Sequence, residues 1–251
     1  MKEYNREIQN NSEASTKKES FLSRLENFWY HYKWHSIIAL FLVFTISICS
    51  VQMCQKESYD LHVLYSGGYE INRKGSDGNA SEYKTTLSSL GRVTDDNDGD
   101  GVINVTLKDL FMLSSAEIEE IEGEDDKTEV NYALINDNKQ ILRDTIMYSS
   151  YYVCLLSPAV YEEYKTVDGV EIFTPLAQFS AENTSLKYYD DNSVYLSSTK
   201  FYSLPGISSL PDNTLVCLKK PSVFASHFNE KETKRDYARA ETAVIKILNY
   251  K

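Results

Sequence analysis

Between His35 and Lys56 the chain runs for twenty residues without an Asp, Glu, Lys or Arg, although 25% of the whole sequence is charged. Cysteine is scarce as well. Cys49 and Cys54 lie in or beside that uncharged stretch, which leaves only Cys154 and Cys217 for everything after it. Two cysteines in such a length do not make a disulfide-stabilised scaffold. Five prolines and ten glycines are too few and too scattered to form a flexible linker. There is no H-E-x-x-H, no G-x-S-x-G, no Walker loop, no G-x-G-x-x-G and no cysteine pair at metal-binding spacing. Ser–Lys chemistry has no diagnostic spacing and stays open. Basic charge is short too: after residue 55, 20 Lys and Arg face 32 Asp and Glu. That balance argues against nucleic acid and against adsorption to anionic lipid.

The uncharged stretch, residues 36–55, reads SIIALFLVFTISICSVQMCQ, and ten of its twenty residues are Ile, Leu, Phe or Val. A helix of that length rises about 30 Å, the thickness of a bilayer's hydrocarbon core. Its apolar residues contribute roughly −3 to −6 kcal/mol to insertion. A single transmembrane helix is expected. A cleaved signal peptide fits less well, because the leading charged region is long, the apolar core exceeds the usual length and no small-residue cleavage site follows. No small residue precedes Cys49 or Cys54 as a lipoprotein site requires, so the stretch reads as an uncleaved signal anchor.

Lys2, Arg6, Lys17, Lys18, Arg24 and Lys33 precede the span, which predicts a cytoplasmic N-terminus and an extracellular domain over 56–251. Residues 1–20 are polar, with little to bury, and are expected to be disordered. Residues 21–35 pack Phe28, Trp29, Tyr30, Tyr32 and Trp34 just before the span, as an aromatic belt at the lipid interface does; a cytosolic partner site is the alternative.

Beyond residue 56 the sequence predicts one α/β domain, a mixed sheet flanked by helices. Strands are expected at Tyr59–Tyr65, Val102–Leu107, Tyr151–Leu156, Val170–Phe173, Val194–Leu196 and Leu215–Leu218. Helices are expected at about 80–91, with Tyr83, Leu87 and Leu90 on one face, and between a capping box at Ser114/Glu117 and Gly123. A longer helix spans Asn131–Met147 with Leu134, Ile141, Leu142 and Thr145 sharing a face. Ser157 N-caps a helix with Pro158 at its first position. The last helix starts at Asn229/Glu232, and its stripe of Tyr237, Ala240, Val244, Ile247 and Leu248 should pack back on the sheet. Cys154 and Cys217 each sit in an apolar run, and either form a disulfide if their strands are neighbours or remain buried thiols.

The sharpest local signal is the acidic loop Asp95–Asn104. With Asp96 at position 1, Asp98 falls at 3, Asp100 at 5, Gly101 at the sharp turn, the Val102 carbonyl at 7 and Asn104 at 9. That is most of the oxygen-ligand spacing of a Ca²⁺ loop. Position 12 is Leu107, so the distal carboxylate must come from Asp109 or from a distant acid. The expected site is Asp96, Asp98, Asp100, Val102 and Asn104, holding a structural Ca²⁺; a merely solvated acidic turn is the alternative. The loop resembles the D-x-D-x-D-G loops of dockerins and of other calcium-binding extracellular proteins.

His62 and His227 are expected to be ordinary strand-face and helix-flanking residues. Tyr148, Tyr151, Tyr152, Tyr161, Tyr164, Tyr188 and Tyr189 either line a binding surface for a sugar or peptide or fill a core rim.

The segment NFWYHYKWHSIIALFLVF, with YDLHVLYSGG and DGDGVINVTL after it, resembles uncharacterised single-span membrane proteins of Gram-positive gut bacteria. Over about fifty residues, ILRDTIMYSSYYVCLLSPAVYEEY followed by FTPLAQF is similar to one lobe of type 2 extracellular solute-binding proteins. The first of these groups carries no known activity, and the leading expectation is a non-enzymatic, membrane-tethered outer domain that binds an extracellular small molecule, glycan or protein. A cell-surface hydrolase and an accessory subunit of a membrane complex are the alternatives.

Overall fold

The computed structural model describes residues 26, 28–50, 59–72, 81–123, 130–179, 185–222, 227 and 229–251. The arm over 1–20, the aromatic segment before residue 26, and residues 51–55 with Cys54 lie outside them. The chain divides into two compact units, Met1–Glu57 and Ser58–Lys251.

In the first unit, helix α1 covers Phe28–Ser50 and is long and apolar enough to cross a membrane; a signal sequence has the same profile. It takes in the aromatic residues from Phe28 onward as well as residues 36–50 of the apolar stretch. Three hydroxyls along it are satisfied within the helix. The hydroxyls of Thr45, Ser47 and Ser50 donate to the carbonyls of Phe41, Val43 and Ile46 at 2.9, 2.8 and 2.8 Å, so none needs water.

The second unit is built on β1 (Leu61–Gly67), β2 (Val105–Phe111), β3 (Val153–Leu156), β6 (Tyr188–Asp190), β7 (Ser193–Tyr195) and β8 (Leu215–Leu218). A short hairpin, β4 (Thr166–Val167) and β5 (Val170–Glu171), stands apart from them. The six-stranded sheet has the order β2-β1-β3-β8-β7-β6, parallel on either side of β1 and antiparallel from β3 onward. The helices are α2 (Glu82–Leu90), α3 (Ser115–Gly123), α4 (Tyr132–Tyr148), α5 (Pro158–Tyr164) and α6 (Glu230–Leu248).

Alternating side chains divide the core into two layers. Leu61, Val63, Tyr65, Val153, Leu155, Val216 and Leu218 face α2 and α6. Leu64, Cys154, Leu156, Leu215 and Cys217 face α4 and α5. The central strands are therefore buried on both sides, which explains their nearly unbroken apolar sequence. The expected mixed sheet flanked by helices is present.

Local signals placed several elements well. Leu215–Leu218 is a strand as expected, and the Ser157 hydroxyl accepts from the Val160 N–H ahead of Pro158. The capping box is complete: the Ser114 N–H donates to Glu117 Oε2 at 2.7 Å, and the Glu117 N–H to Ser114 Oγ at 3.2 Å.

Three expectations need correction. The second strand lies at Val105–Phe111, because Val102 and Asn104 commit their N–H groups to aspartate side chains and leave the ladder to start later. In α4 the inner face is Ile135, Leu142, Thr145 and Ile146, while Leu134 and Ile141 are exposed. The inner row also holds Asn138, whose amide donates to the Phe111 carbonyl at 2.9 Å, so apolar periodicity alone mis-set the rotation. Finally, Val170–Phe173 is no single strand. Val170 and Glu171 turn back on β4 through Asp168 (φ 50°) and Gly169 (φ 80°), and Phe173 bridges singly to Lys219.

Candidate metal centre

The acidic loop joins α2 to β2 and lies next to the N-terminal end of β1. Parallel pairing sets Leu61 opposite Val105, so the residues before them, Asp60 and Asn104, stand side by side. Asp60 is buried, with 2% of its surface exposed. Its carboxylate accepts the Asn97 N–H at 2.7 Å on Oδ1 and the Asn104 N–H at 2.9 Å on Oδ2. Its own N–H donates to the Asn104 carbonyl at 2.8 Å.

Within the loop, Asp96 accepts from the Gly99 N–H at 2.7 Å and from the Gly101 N–H at 2.9 Å. Gly101 has φ +84°, the left-handed turn that a glycine at position 6 of a cation loop supplies. Asp98 and Asp100 accept from the N–H two residues on, at 3.1 and 2.7 Å.

Asp60, Asp96 and Asp98 each bring a carboxylate oxygen within 4.8 Å of the others. Each carboxylate has more lone pairs than its backbone donors use. Three convergent hard oxygens of like charge repel one another, and such a set could hold a divalent cation. Of the expected ligands, Asp96 and Asp98 belong to this group and Asp100 does not. Asn104 reaches the cluster through its backbone contact with Asp60, and Val102 is exposed. The distant acid that stands with the two loop aspartates is Asp60, and Asp109 is not in the group. Nothing in the sequence singles out Asp60 until the parallel register of β1 and β2 is known.

The loop is clamped to α6. Arg239 Nη2 donates to the Asn97 carbonyl at 2.8 Å, and Lys246 Nζ meets Asp95 Oδ2 at 2.7 Å. An open groove of about 470 Å³ lies beside these contacts, lined by Val93, Thr94, Asp95, Asn97, Arg235 and Arg239 among others.

The other candidate residues fall elsewhere. His62 packs edge-on between Tyr59 and Tyr151, and burial lowers its pKa. His227 is exposed. Tyr152, Tyr161 and Tyr164 are core residues, and Tyr161 stacks on Phe173 while donating to Asp190 Oδ2 at 2.7 Å. Tyr151 is half-buried, and Tyr148, Tyr188 and Tyr189 remain exposed. Tyr189 continues an edge-on aromatic chain from Tyr161 to Tyr195.

Lys219 is 1% exposed, and no local sequence signal sets it apart. Its ammonium donates to the carbonyls of Thr145, Ile146 and Ser149 at 3.1, 3.1 and 2.7 Å, closing the C-terminal end of α4. Burial pushes its pKa down to about 8, while the three carbonyls and the negative end of the helix keep the proton attached at neutral pH.

The chain matches no protein-family model, no curated protein and no solved structure.

Proposed function

We propose that this protein is a membrane-anchored binding module. Helix α1 tethers the α/β unit to the cell surface, with the N-terminus cytoplasmic, and Ca²⁺ at Asp60, Asp96 and Asp98 locks the loop that leads into β2. The carrying observation is the meeting of three carboxylates from two distant segments, one of them buried at the mouth of the sheet. An all-oxygen set on a flexible loop suits Ca²⁺ better than Mg²⁺, which demands a stricter octahedron and holds its waters. An extracellular-type affinity, with Kd on the order of 10⁻⁴ to 10⁻³ M, is expected.

The strand order supports a ligand-binding role, for a small molecule, a glycan or a protein. After β1 the chain passes to the α2 layer, and after β3 it passes to the α5 layer. Open α/β sheets take ligands at such a switch point, beyond the carboxyl ends of the two strands. Here Gly67, Gly68 and Ser157 border it, and the Ser157 N–H donates to the Ser66 carbonyl at 2.9 Å.

One experiment tests tether and cation together. Intact cells expressing the full chain are treated with protease, with millimolar Ca²⁺ or with a calcium chelator. The reading expects the C-terminal unit to be cleaved from outside, and faster under chelator. Protection of that unit while other surface proteins are digested would overturn the topology; cleavage indifferent to Ca²⁺ would overturn the cation.

A further inference from the structure

Cys154 on β3 and Cys217 on β8 are direct partners in an antiparallel ladder. Both are fully buried free thiols, and both project into the layer covered by α4 and α5. The Lys219 N–H donates to the Tyr152 carbonyl at 2.8 Å, so Tyr152 and Lys219 form a hydrogen-bonded rung, and two residues along Cys154 and Cys217 form another. Partners on such a rung have Cα atoms about 5.5 Å apart, within the commonest range for disulfide-linked cysteines.

We propose that Cys154 and Cys217 are a modification site, a cross-strand disulfide between β3 and β8 formed during folding by exchange with an external disulfide such as oxidised glutathione. One cysteine thiolate attacks a sulfur of the external disulfide, giving a mixed disulfide and expelling one external thiolate. The second cysteine thiolate attacks the bound protein sulfur, closes the Cys154–Cys217 bond and expels the other. Two cysteines are oxidised, one external disulfide is reduced, and the two cysteine protons end on the departing sulfurs. Burial raises both thiols, Cys154 to about 12, so the exchange belongs to the stage before β8 is covered. In the finished fold the Lys219 ammonium works against that rise at Cys154. The pairing rests on the register alone; only the compartment in which it would form rests on the outward-facing reading.

The test uses the full chain in detergent micelles, with Cys49→Ser and Cys54→Ser to silence the other thiols. The protein is reduced, unfolded, refolded in a glutathione redox buffer and isolated as a monomer. Expected are loss of both alkylatable thiols, a linked Cys154–Cys217 peptide, and a melting temperature about 5–10 °C above that of the reduced form. In the Cys154→Ser variant, Cys217 should remain alkylatable. Two free thiols in natively refolded protein, or thiols linked only between molecules, would overturn the pairing whatever the membrane topology proves to be.

Discussion

Asp60 and Asn104 grip each other at both ends: the Asp60 N–H reaches the Asn104 carbonyl at 2.8 Å, and the Asn104 N–H reaches the Asp60 carboxylate at 2.9 Å. This extra rung, one residue ahead of the β1–β2 ladder, ties the acidic loop to the sheet. The same carboxylate that organises the loop through hydrogen bonds is the one that turns two loop aspartates into a three-acid cluster.

Asp60→Ala should be strongly destabilising, because two part-buried N–H groups lose a charged acceptor. A loss of about 3 kcal/mol or more is expected, read from urea unfolding of the full chain in micelles. Asp60→Asn keeps one acceptor oxygen and should cost less, yet still remove any response of the melting temperature to Ca²⁺.

Asp98→Asn separates cation binding from folding. Asp98 is exposed, and its bond to the Asp100 N–H survives with an amide oxygen. Stability without Ca²⁺ should stay within about 0.5 kcal/mol of the parent. At a Ca²⁺ concentration ten times Kd, the parent should gain about 1.4 kcal/mol that the variant lacks. Calorimetric titration of both proteins reads the difference, and equal heats would remove Asp98 from the site.

Lys219 gives a pH signature. Its folded pKa, about 8, lies below the ordinary lysine value of 10.5, so between these values the unfolded chain binds more protons than the folded one. Stability from this group is therefore lowest below about pH 8 and is recovered as pH rises towards 10.5, at up to about 1.4 kcal/mol per pH unit. The comparison is with Lys219→Met, which removes the titration and leaves three helix carbonyls without their donor. The parent-minus-variant stability, measured from pH 7 to 9.5, should climb with pH; a flat difference would contradict the assignment.

Gly206→Ala should be poorly tolerated. Gly206 has φ +79°, and a Cβ there would stand 2.6 Å from the Thr86 backbone nitrogen and 2.9 Å from its Cα. The segment is already held to α2, with Thr86 Oγ1 donating to the Gly206 carbonyl at 3.2 Å and Ser89 Oγ to the Pro205 carbonyl at 2.7 Å. A destabilisation of about 2–4 kcal/mol is expected from strain and overpacking together, visible as a lower urea midpoint.

Features written in neighbouring residues were legible in the sequence. The Ser157–Pro158 start, the Ser114/Glu117 box and the Leu215–Leu218 run each declare themselves within a few positions. Features that depend on who pairs with whom were not. Val102 and Ile103 look like strand residues but stand exposed at the loop exit, because aspartate side chains take the backbone donors around them. The turn glycine and two aspartates of the loop could be read from spacing, whereas Asp60 joins them only through a pairing across distant sequence. Lys219 was opaque for the same reason: its three acceptors lie at the end of α4, far back along the chain.

The placement of β8 bears on how the protein is made. This four-residue strand lies between β3 and β7, sheltered on both sides, yet it is translated long after β3. Until the ribosome has delivered it, the nascent sheet has an open apolar flank at Val153–Leu156. Closure must wait for a strand that follows β3 only after α5, the β4–β5 hairpin, β6 and β7, so a partly built sheet with an apolar open flank precedes the finished one.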